Sequence, residues 1–99
     1  MEASLTHEAF AQHLNARFQV QTDQAVPLDL ELIEVSELKQ YPEQEEFAIV
    51  FRGPSNAYLG QGIRMLSHEQ MGQFEIFIVP IRQDQHGFYY EAVFNRLRD

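Results

Sequence analysis

Phe74-Glu75-Ile76-Phe77-Ile78-Val79-Pro80-Ile81-Arg82 is the stretch on which the fold turns. Phe74, Ile76 and Ile78 fall on one parity and Phe77, Val79 and Ile81 on the other, so a strand built from them is apolar on both faces. Pro80 cannot donate to a ladder, which places that end of the strand at an edge or a bulge. Three further runs surround it, at residues 47–52, 62–68 and 88–96. Arg52-Gly53-Pro54, the segment from Glu69 to Gly72, and Asp84-Gln85-His86-Gly87 close them with turn chemistry.

Working back towards the N-terminus, Phe18 and Val20 alternate with Arg17, Gln19 and Gln21, the pattern of a half-exposed strand. Thr22-Asp23-Gln24 is a polar turn. Leu28, Leu30 and Leu32 then alternate with Asp29 and Glu31 until the apolar phase slips between Leu32 and Ile33. A slip of one residue is what a β-bulge produces, and bulges bend a strand. Residues 39–46, with Pro42 and several acids, read as a solvated loop.

The first element reads as a short helix. Thr6 supplies an N-cap, Leu5 and Phe10 have the spacing of a hydrophobic staple, and Glu8 suits the positive end of the helix. Ala3, His7, Phe10, Ala11 and Leu14 form one stripe expected to face the core, and Asn15 is the stop. These elements predict a single mainly β (α+β) domain over residues 1–99. It should be a small curled antiparallel sheet or barrel of about six strands with one short N-terminal helix.

Composition narrows the function. Ninety-nine residues suffice for one core without staples. The chain has no cysteine, which removes disulfides, thiolate metal sites and cysteine nucleophiles. Fifteen acids against seven bases give a net charge of −8, which repels phosphate backbones and argues against nucleic acid as a partner. Neither a signal-peptide pattern nor an apolar run of membrane-spanning length is evident, so a soluble cytoplasmic protein is expected.

No spacing specifies a reaction. His7, His13, His68 and His86 lie in different elements and make no chelating pair at local spacing. None of the serines sits in a nucleophile elbow, and Gly60-Gln61-Gly62 is too short for a nucleotide fingerprint. No catalytic residue, metal ligand or cofactor is therefore assigned. Arg52, Arg64 and Arg96 adjoin strand ends, and a guanidinium fork can clasp a carboxylate such as Glu75 or Glu91. An Arg96–Glu91 clasp is the expected structural use; an anion-binding cleft is the alternative. The remaining signal is the second apolar face of the strands near Phe47 and Phe74. If the helix does not cover it, Ala48, Val50, Phe77, Val79 and Ile81 form an interface row.

The strings Phe51-Arg52-Gly53-Pro54, Gln61-Gly62, Phe74 to Ile81 and Tyr90-Glu91-Ala92-Val93-Phe94-Asn95-Arg96, with Leu5-Thr6, Phe10, Leu14 and Phe18, resemble a family of small bacterial proteins filed as a domain of unknown function, DUF6916. The resemblance spans nearly the whole chain. It implies a bacterial origin and brings no catalytic residues. Because members of that family are often encoded beside phage-tail-collar-like proteins, it also implies an assembly or accessory role. The expected function is thus a protein-interaction module that docks through an apolar β surface onto a partner or onto itself. A small ligand-binding or hydrolytic barrel with an arginine–carboxylate cleft is the alternative.

Overall fold

The computed structural model describes residues 5–22 and 26–97; Ala3, Asp23 and Gln24 lie outside the described residues. Among the described residues one helix, α1 (His7–Gln12), precedes seven strands. These are β1 (Arg17–Val20), β2 (Leu28–Val35), β3 (Lys39–Gln40), β4 (Gln44–Gly53), β5 (Gly62–His68), β6 (Gly72–Asp84) and β7 (Gly87–Leu97). Every pairing is antiparallel. Following neighbours around the sheet gives β1-β2-β4-β7-β6-β5 and back to β1, a closed six-stranded barrel, with β3 as an extra strand along β4.

Closure follows from the two irregularities legible in the sequence. The β2–β4 register shifts between Leu32 and Glu34, and the β6–β7 register shifts at Pro80/Arg82. Each bulge raises local twist and bends its strand, which lets a short sheet curl until its edges meet. The interior is the even-parity face of β1, β2, β5, β6 and β7 and the odd-parity face of β4. Phe18, Leu30, Phe51, Leu66, Ile78 and Tyr90 fill it, and no polar or charged residue is fully buried among the described residues.

One end is plugged by the helix. Thr6 caps α1 by accepting from the Ala9 N–H at 3.1 Å, and Leu5 packs against the core. Phe10 is fully buried, with its ring 5.4–6.5 Å from those of Phe18, Phe47, Phe74 and Phe94. Of the rest of the expected stripe, half-buried His7 packs edge-on against Phe47 with ring centroids 5.4 Å apart, whereas Ala11 and Leu14 are exposed. The helix has only six residues. Asn15, at φ 73°, turns the chain into β1 and donates its N–H to the Leu32 carbonyl, before another helical turn could lay Leu14 inward.

Residues 39–46 also differ from the solvated loop expected. Lys39 pairs with Glu46 and Gln40 with Glu45, and the Tyr41 N–H donates to the Gln44 carbonyl to close a hairpin. Lys39 and Gln40 are both exposed, so this strand carries none of the apolar alternation by which strands are recognised.

Candidate functional site

Because α1 plugs the barrel from within, it leaves much of the outer apolar surface of β5, β6 and β7 exposed among the described residues. Ile63 of β5 and Phe77 of β6 face each other across the strands and are 68% and 50% exposed. Directly opposed side chains on one face touch in such a pair, so the two make one patch. Val79 is half-buried and Ile81 exposed farther along β6, and Val93 of β7 is exposed in register with the half-buried Ala48. Of the interface row read from sequence, Val50 alone is nearly covered, in register between Glu34 and Glu91. Ile63 and Val93 belong to the patch but were missing from that row. Their positions opposite Phe77 and Ala48 depend on strand register, which local alternation does not reveal.

The patch has an acidic flank. Glu75 is opposite Met65, Glu91 is opposite both Val79 and Val50, and Glu34 is opposite Val50. Glu75 and Glu91 therefore do not face each other as an acid–base pair would have to.

The arginine clasp forms, with other partners than expected. Arg52 Nη2 donates to Glu31 Oε1 at 2.5 Å, the one ion pair shown among the described residues. The β2–β4 register places Glu31 directly opposite Arg52, whereas Arg96 is exposed and sits opposite Glu45 rather than Glu91. Arg64 is on the inner face of β5, opposite the buried Ile76. It lies in the barrel mouth that the helix leaves open, where its Nη2 donates to the Gly60 carbonyl at 2.9 Å. The loop beside it is tied down by the Leu59 N–H, which donates to the hydroxyl of fully buried Tyr90 at 2.9 Å. Burial raises the pKa of that hydroxyl, which keeps it a neutral phenol.

At the helix end of the barrel two histidines meet that sequence spacing kept apart. The rings of His13 and His68 are 4.4 Å apart, and His68 also lies 4.6 Å from the ring of Phe18. His68 Nδ1 accepts from the N–H groups of Gln70 and Met71, at 3.0 and 3.2 Å, and so organises the β5–β6 turn. Burial lowers the His68 pKa, the neighbouring His13 lowers it further, and Glu69 opposes both. A histidine whose pKa is depressed by folding binds its proton more readily when unfolded. Its contribution is therefore present above its ordinary value of about 6.5 and lost as pH falls through the folded value. Urea melts between about pH 7.5 and about pH 5.5 should show stability falling with pH. His68→Asn, whose carbonyl can still accept from the turn amides, should flatten that slope.

This geometry defines a closed, filled barrel with an apolar outer face and one polar mouth. A family model described as a domain of unknown function (DUF6916) matches residues 5–94, and the chain belongs to that family. No curated protein and no solved structure matches the chain.

Proposed function

We propose that this protein is an interaction module that docks through the outer face of β5, β6 and β7 onto another protein. The observation that carries the proposal is the Ile63–Phe77 pair, two large apolar side chains left half or more in water on a barrel whose interior is already full. Contiguous apolar surface of this kind on a small domain is characteristic of contact sites. The acidic flank of Glu34, Glu75 and Glu91 and the charge of −8 favour a partner with an apolar stripe bordered by lysine or arginine. A second copy would bring like charges together, so the purified chain is expected to sediment as a monomer. No helix among the described residues is long and apolar enough to cross a membrane. The reading we propose further is a bacterial, cytoplasmic module in an assembly or accessory role, such as one beside tail-collar-like proteins, as the family resemblance suggests.

Phe77→Asp should leave the urea midpoint nearly unchanged, since exposed substitutions usually shift stability by about 0.5 kcal/mol or less, whereas Val79→Asp, half-buried and opposite Glu91, should cost more. In an extract of the source cells the wild type should sediment in a larger species that high salt disperses, and Phe77→Asp should not. A variant that assembles as the wild type does, or a wild-type chain that dimerises alone through this face, would contradict the proposed partner.

A further inference from the structure

The open mouth of the barrel carries a feature that the docking face does not explain. Arg64 is half-buried, and its Nε is occluded by protein with no hydrogen-bond partner among the described residues, while Nη2 is engaged by the Gly60 carbonyl. An occluded donor on a charged group is costly to leave unpaired, and most such groups in folded proteins have found an acceptor. Beside Arg64 lies a cleft of about 450 Å³ whose walls combine Leu28, Ala57 and Leu59 with Thr22, Asn56 and Tyr58. Among the described residues no carboxylate lines it, although the chain is strongly acidic. The volume falls within the range of small-molecule sites.

We propose that this mouth binds a small aliphatic carboxylate, with Arg64 as its anchor. A planar carboxylate matches the Nε/Nη edge of a guanidinium in two parallel hydrogen bonds, and it would supply the acceptor that Nε lacks. Leu28, Ala57 and Leu59 offer an apolar wall for a short hydrocarbon body. Because Nε is occluded as the side chain stands, binding requires the guanidinium to release the Gly60 carbonyl and turn that edge into the cleft. The site is independent of the docking face, because on β5 Ile63 points outward and Arg64 inward.

The test follows the Arg64 Nε–H resonance of the intact protein by NMR during titration with sodium butyrate, with butyramide as the uncharged isostere. Butyrate should shift that resonance and the backbone amides from residue 56 to 59 saturably, and butyramide should not. Arg64→Gln should weaken butyrate binding by about tenfold or more. Should that variant fail to fold, the wild-type comparison of butyrate with butyramide still decides. A short peptide with a free C-terminus, set against its amidated form, separates the two sources of the group. Stronger binding of the free peptide than of butyrate assigns the site to a chain end; the reverse assigns it to a free acid. No saturable shift with either carboxylate, an equal response to butyramide, or an inorganic phosphate response as large as butyrate's would overturn the assignment.

Discussion

Phe10→Ala is expected to lower the free energy of unfolding by about 3–5 kcal/mol, the range for truncating a large aromatic in a core. Phe10 is the helix's one fully buried side chain among the described residues, and its ring reaches four other phenylalanines contributed by β1, β4, β6 and β7. Removing it opens a void at the closed end of the barrel that neighbours from four strands cannot fill together. Thr6→Ala, which removes only the cap, should cost about 1 kcal/mol. Denaturant melts of the two variants check the contrast. Equal small losses would mean that the helix is an appendage and the barrel closes without it.

Gly87→Ala should rival that loss, on the order of 3 kcal/mol, for a different reason. A Cβ at Gly87 would sit 1.9 Å from the Gly53 carbonyl oxygen, on a backbone with φ of 140°. Neither end of that clash is a flexible side chain, so β4 and β7 would have to separate where the 84–87 turn begins the longest ladder of the barrel. Gly72→Ala is the control. Its φ of 78° is also unfavourable, yet a Cβ there meets nothing within 4 Å, so only about 1 kcal/mol is expected. Thermal melts of the pair separate close approach from backbone strain. Similar shifts in the two would show that the Gly53–Gly87 approach is not tight in solution.

Features encoded in neighbouring residues were legible without the structure. The period-two alternation in β1, β2, β4, β5, β6 and β7, the phase slip at Leu32, the proline at position 80 and the turn at Asp84 to Gly87 all appear where they were read. What was not legible depends on strand pairs distant in the chain. Glu31 meets Arg52 only because β2 closes onto β4, and Glu91 is thereby left beside valines instead of an arginine. His13 meets His68 because the helix plugs the end of the barrel at which β5 finishes. The strand at Lys39–Gln40 is exposed and leaves no hydrophobic signature, and Leu14 keeps helical spacing beyond the point at which the helix stops.

The candidate surface divides along the same line. Phe77, Val79 and Ile81 could be placed together from one strand's alternation. That Val50 would be shielded between two glutamates, and that Ile63 and Val93 would join the patch, required the register of three ladders. Arg64 was legible as an arginine near a strand end, but its inward aim came from pairing with Ile76.

Site-specific photo-crosslinking tests the docking face most directly. A benzophenone side chain is placed at position 77 of the full chain in the cells that encode it, with position 85, in the exposed β6–β7 turn, as control. The account predicts one discrete adduct from position 77, heavier than the monomer and distinct from a dimer. That adduct should be lost on Ile63→Glu and absent from position 85. Dimer-sized adducts, equal labelling from both positions, or none from position 77 would contradict it.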